Sequence, residues 1–202
     1  MTTSTSTNAA STKARPRAFV VVVVAALVVG AAVPATSTPS STVVTSARTA
    51  AIVVRALAYD RGLRDRAGAR ADLVVLTTPD RVVDEHAVFL HLQSIGVQGL
   101  PLVVSTAAPA TADDLRAVLD TRHAEAVFVD ALDPDLRGPL RTFARERGIA
   151  VFADRREALG TVAQIAVVDD GDRARIVVSL PELRAARIDL AADLLKLAEV
   201  VR

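Results

Sequence analysis

The 202-residue chain has no cysteine and no tryptophan, a single tyrosine and only five phenylalanines. Without cysteine it can form no disulfide, thiolate metal centre, cysteine nucleophile or lipid anchor on cysteine. With aromatics at 3%, the core must be built from Val, Leu, Ala and Ile. Lysine is nearly missing as well: Lys13 and Lys196 are the only two, and arginine carries the rest of the positive charge. The formal net charge is +1. Setting aside Lys13, Arg15 and Arg17 leaves 21 bases against 23 acids, so no excess of positive charge points to nucleic acid.

Catalytic signatures are missing too. No G-x-S-x-G elbow is present, and neither G-x-x-x-x-G-K-[ST] nor G-x-G-x-x-G occurs. His86 and His91 are five apart, whereas a helical metal pair wants four so that both rings share a face. With His123 isolated, all three histidines read as structural or surface residues. Asp84-Glu85 and Asp169-Asp170 read as solvated acidic pairs. The expectation is a non-enzymatic protein with no catalytic residues, metal or cofactor.

What is present begins with an export pattern. Residues 1–17 are Ser/Thr-rich and end in three positive charges; Ala18–Val33 is a 16-residue apolar run; PATSTPSSTVVTS follows. A basic start, an apolar middle and a small-residue exit describe a signal peptide, with a cleavage site after Ala35. An uncleaved anchor is the rival, although a spanning helix usually needs ~20 apolar residues. Either reading places the later residues outside the cytoplasm. The expected organisation is a signal peptide or anchor over 1–35, a Ser/Thr/Pro linker over 36–45 and one folded domain over 46–202. That length is enough for one core and not for two lobes.

Within 46–202, apolar runs alternate with helical patterns. ADLVVLTT (71–78), PLVVST (101–106), AEAVFVDA (124–131) and IAVFAD (149–154) lack in/out alternation, as strands buried on both faces do. Between them lie helical stretches. The first, capped by Ser46, reads as one helix through ARTAAIVVRALAYDRGLRDRAG. The others run from Asp84 to Ile95 with Gly96 as the stop, from Thr111 with Asp114 as an approximate capping box, and through PDLRGPLRTFARERG with Pro139 as a potential kink. QIAVVDD and RARIVVSL flank a Gly171-Asp172 turn, and LLKLAEVVR reads as the end of a closing helix. The spacing predicts an α/β fold: three layers, a mostly parallel sheet of about six strands with helices on both faces, and an antiparallel C-terminal strand at the edge.

The carboxyl ends of these strands carry Thr77, Thr78, Asp80, Ser105, Thr106, Asp130 and Asp154. They could form a polar pocket, but helix capping is the preferred reading because Asp, Ser and Thr favour that position. A phospho-acceptor receiver domain fails on residues, since the first strand ends LTTPD and no lysine lies between Lys13 and Lys196. Arg61, Arg64, Arg66 and Arg70, interleaved with Asp60 and Asp65, read as a mixed, salt-bridged face. Tyr59 suits packing or a contact surface.

The chain resembles the YfiR-like family of small exported proteins. The opening helix leads into ADLVVLTT; Gly160 precedes QIAVV; a strand ends IVVSL; PELRAARI and a helix with LLKLA follow. Ser179-Leu180 stands where the family typically has Asn-Leu, and Ala191-Ala192 where it often has serines. The resemblance implies a periplasmic, non-enzymatic regulator that binds an inner-membrane signalling protein such as a diguanylate cyclase, with a homodimer as a further expectation. The family's cysteines are missing, so no disulfide-based control carries over. The closing segment offers contact residues at Leu194, Leu197 and Val201, with Tyr59 beside them, although the helical spacing of the first three also suits a buried core. The rival class is an exported solute-binding module serving a transporter.

Overall fold

The computed structural model describes residues 45–202. The expected export segment and all of the expected linker but Thr45 lie outside the described residues. Helix α1 (Ala47–Leu57) and the short α2 (Leu63–Ala67) lead into strand β1 (Ala71–Leu76). Then come α3 (Val82–Leu90), β2 (Leu102–Ala107), α4 (Ala112–Arg122), β3 (Ala126–Val129), α5 (Pro134–Arg147) and β4 (Ala150–Ala153). The chain ends with β5 (Ile165–Asp169), β6 (Ala174–Ser179), α6 (Leu180–Ala185), α7 (Ala192–Leu197) and β7 (Glu199–Val201). The seven strands form one sheet in the order β2-β1-β3-β4-β5-β6-β7, parallel except for the antiparallel β5–β6 pair.

Alternate residues of the central strands feed two separate cores, which is why the sequence shows no alternation. Leu73 and Val75, Ala126 and Phe128, and Ala150 and Phe152 face a core shared with α1, α3, α6 and α7. Val74 and Leu76, Val127 and Val129, and Val151 and Ala153 face a core shared with α4 and α5. The result is the expected three layers. Phe89 of α3 packs on Phe128 with ring centroids 5.1 Å apart. Truncating either ring to Ala would cost about 3–5 kcal/mol.

Two expectations are corrected. The opening helix is two helices, because Tyr59–Arg61 pair with the C-terminal segment instead of coiling on. The Arg61 amide donates to the Asp189 carbonyl at 2.8 Å, and Ala191 donates to Tyr59 at 2.8 Å. Asp60, fully buried, accepts from the Gly62 amide and from Arg66 at 2.5 Å, so it forms the corner into α2. Next, the closing helix stops at Leu197. Glu199–Val201 leave it as a strand beside β6, in register Val177↔Glu199 to Ser179↔Val201. Two β-branched residues suit an extended edge better than a helix end. The antiparallel strand β6 is therefore internal, and β7 is the edge. Helix α5 spans Pro139 as its sequence pattern suggests, although proline cannot donate the helical bond to the Asp135 carbonyl. Gly148 closes that helix in the left-handed region at φ 70°, a backbone that glycine adopts without a Cβ penalty.

Helices α5 and α6 are joined by a partly buried clamp. Glu182 accepts from Arg141 at 2.5 Å and from Arg145 at 2.7 Å. Burial pushes the Glu182 carboxyl up, but the two guanidinium hydrogen bonds outweigh it and hold it below its ordinary value.

Candidate functional site

Two places assemble the residues singled out above. The first lies at the carboxyl ends of β1 and β3, where the strand order changes direction and open α/β sheets commonly bind ligands. Thr77 donates its hydroxyl to Asp130 at 2.6 Å. Arg81, on the turn entering α3, bridges Asp130 and Glu85, at 2.8 Å to each. Glu85, fully buried, also accepts the Thr45 amide at 2.8 Å. Thr45 is thus tied to α3. Burial, the largest influence, pushes the Asp130 carboxyl above its ordinary value, and nearby Glu85 adds to this, against the Thr77 hydrogen bond and Arg81.

This network overturns two readings. Asp130 caps no helix: the caps of α4 and α5 are Thr111 and Asp133, whose side chains accept from Asp114 and Asp135. Glu85 is not a solvated surface acid, whereas its neighbour Asp84 is exposed. The signal that could have found Glu85 is its i, i+4 spacing from Arg81 on the helix that follows β1. Of the other strand-end residues, Thr106 meets His86 Nδ1 at 3.1 Å and Asp154 pairs with Arg155 at 2.9 Å. His91 is exposed, and His123 ends α4 in the left-handed region at φ 51°. Among the described residues no group of His, Asp or Glu is placed to hold a metal ion.

The basic cluster is divided among separate partners. Arg66 turns inward to Asp60, Arg70 pairs with Asp72 at 2.7 Å, and Arg61 reaches Asp189 at 3.9 Å.

The second place is an apolar groove of about 460 Å³ between α1, α7 and β6. The Ser46 hydroxyl caps α1 by accepting from the Thr49 amide at 3.0 Å. One face of α1 is buried through Ala50, Val53, Val54 and Leu57. The adjoining stripe, Ile52, Arg55 and Ala56, continues to Tyr59 and forms one wall. Ile176 forms the floor, and Leu194 and Leu197 the other wall. Leu194 is core, 2% exposed, whereas Leu197 stands 75% exposed and Tyr59 37%. Three of the four contact candidates therefore meet here. Val201 does not line the groove; it lies on the edge strand β7. Ile52, which the sequence places on the apolar face of the opening helix with Val53 and Leu57, and Arg55 and Ile176 are not legible as contact residues from sequence, because their roles depend on how α7 packs.

Residues 46–199 match the YfiR/HmsC-like family (DUF4154), and the chain belongs to it. That family is periplasmic and regulatory rather than catalytic. No curated protein matches the chain. Among solved structures, it is similar to a conserved domain protein from Vibrio cholerae, with 11% identity, a TM-score of 0.49 and coverage of 69% of this chain and 57% of that one. A ligand-free, open substrate binding protein with adhesive properties from Clostridium difficile matches at 13% identity and TM-score 0.48, covering 70% and 57%. The ABC domain in complex with L-Trp from Streptococcus pneumonia matches at 11% and 0.47, covering 72% and 60%. The chain thus spans less than two thirds of the length of each of these structures. No helix among the described residues is long and apolar enough to cross a membrane.

Proposed function

We propose that this protein is a non-enzymatic regulator working outside the cytoplasm, which binds the extracytoplasmic part of a membrane-bound signalling protein, a diguanylate cyclase or similar. Membership of the YfiR/HmsC-like family over residues 46–199 carries this reading. The groove between α1 and α7 supports it. Tyr59 and Arg55 line an apolar trough beside exposed Leu197, and tyrosine and arginine are residue types that interface hot spots favour. A domain of this kind acts by binding one state of its partner more tightly than another, which needs no chemistry of its own.

The test is genetic, in the native bacterium. Deleting the gene should raise intracellular cyclic di-GMP, and the wild-type chain should restore it. The Leu197→Asp variant should fail to restore it while keeping the wild-type circular dichroism and melting temperature, because Leu197 packs little. An unchanged cyclic di-GMP level on deletion would sink the cyclase reading. Restoration by Leu197→Asp would sink the groove as the contact. A small-molecule-induced thermal shift with no membrane partner would favour the rival class, an exported solute-binding module.

A further inference from the structure

The buried network of Thr77, Asp130, Arg81 and Glu85 fills the crevice where the strand order reverses. One step along the sheet the carboxyl ends of the strands leave room. There, where β3 and β4 give way to their loops, a recess of about 180 Å³ opens. It shares no residue with the groove between α1 and α7.

Two guanidinium groups line this recess, Arg137 and Arg155. Arg155 is held in place: its Nε donates to Asp154 at 2.9 Å and its Nη2 to the Asp130 carbonyl oxygen at 2.8 Å. Its Nη1 has no hydrogen bond among the described residues. Arg137 is exposed on the first turns of α5 and has no side-chain hydrogen bond or ion pair among the described residues. Two carboxylates also line the recess. Asp130 is engaged by Thr77 and Arg81, and Arg155 by Asp154, which leaves exposed Glu157 and Arg137 as the lining charges with no side-chain hydrogen bond or ion pair among the described residues. The lining thus keeps one uncommitted guanidinium, that of Arg137, whose planar fork matches a carboxylate. The rest of the wall is largely apolar, with Leu132, Ala158 and Val162 among it. At about 180 Å³ the recess falls below the ~300 Å³ at which ligand pockets commonly begin, which suits a small ligand.

We propose that this recess binds a small monocarboxylate with a short alkyl body, the carboxylate on Arg137 and Arg155 and the alkyl group against Leu132, Ala158 and Val162. The test is a titration of ¹⁵N-labelled protein followed by amide shifts, with isobutyrate as probe. Isobutyramide serves as the neutral control of the same shape, and inorganic phosphate as the anion without an alkyl group. Isobutyrate should give saturable shifts at Leu132, Thr161 and Val162, in the millimolar range that so few atoms sustain. Both controls should bind at least about tenfold more weakly, and Arg137→Met should weaken isobutyrate by about tenfold. Arg137 is exposed, so Arg137→Met should keep the wild-type fold by circular dichroism. Absence of saturation by roughly 50 mM, equal binding of isobutyramide or of phosphate, or indifference to Arg137→Met would each overturn the proposal.

Discussion

Asp130 is a carboxylate held where charge is costly, and its chemistry can be followed by pH. Its folded-state pKa lies above the ordinary 3.8, chiefly through burial. Between 3.8 and that raised value the folded chain holds a proton that the unfolded chain has released, so stability falls as pH rises through this window. Asp130→Asn removes the titration. Wild-type stability relative to Asp130→Asn should therefore decline as pH rises above 3.8 and then level off, as read by urea unfolding at a series of pH values. Thr77 donates to the ionised carboxylate, which lowers its pKa. Thr77→Val leaves a buried charged acceptor without that donor and should cost about 1.5–3 kcal/mol at pH 7. The cost should shrink at acid pH, where Asp130 is protonated in both states. A cost that stays equal at both ends would mean that Thr77 contributes packing alone.

The element with the most consequence for its size is β7. Its three residues cover β6, which would otherwise present unpaired amides and carbonyls along the sheet edge. Glu199 adds an ion pair to Arg156, tying the strand to the turn after β4. Removing residues 199–202 should leave the rest of the fold in place but expose β6. Concentration-dependent aggregation should follow, seen as a rise in mass by light scattering while the far-ultraviolet spectrum stays close to wild type. A truncated chain that remains as monodisperse as wild type would show that the edge needs no cover. The same element shows why an amphipathic pattern at the chain end need not be helix throughout. Helical spacing in LLKLAEVVR fits a helix as well as it fits a turn of helix followed by a strand. Only the open edge of β6 decides for the strand.

For the molecule as a whole, the export pattern in residues 1–35 and the domain over 46–202 make one joint prediction. An alkaline phosphatase that is active only outside the cytoplasm, joined after Thr45, should be active in a bacterial host. Deleting residues 18–33 should abolish that activity. Activity that survives the deletion would remove the export reading and, with it, the placing of the proposed regulator. The described residues begin at Thr45, whose amide donates to buried Glu85.

Much of the architecture was legible beforehand. Continuous Val/Leu/Ile runs separated by helical spacing specify strands buried on both faces, so the layered α/β class, the first six strands and the Thr111 and Ser46 caps follow from local pattern. Family membership was legible for the same reason, because its motifs are packing motifs in one order along the chain. What tertiary structure alone decided are the partnerships across that order. It paired Tyr59 with Ala191, which broke the opening helix. It set Asp130 beside Thr77 and Arg81, which turned a presumed cap into a buried charge. It brought Ile52 and Ile176 to Leu197 to make a groove, and Arg137 to Arg155 to line a recess. Hydrophobic period is a property of neighbours in sequence and survives reading one residue at a time. Burial of a charge, the walls of a groove and the cover of a sheet edge are properties of residues far apart in the chain, and they exist only once the layers have closed.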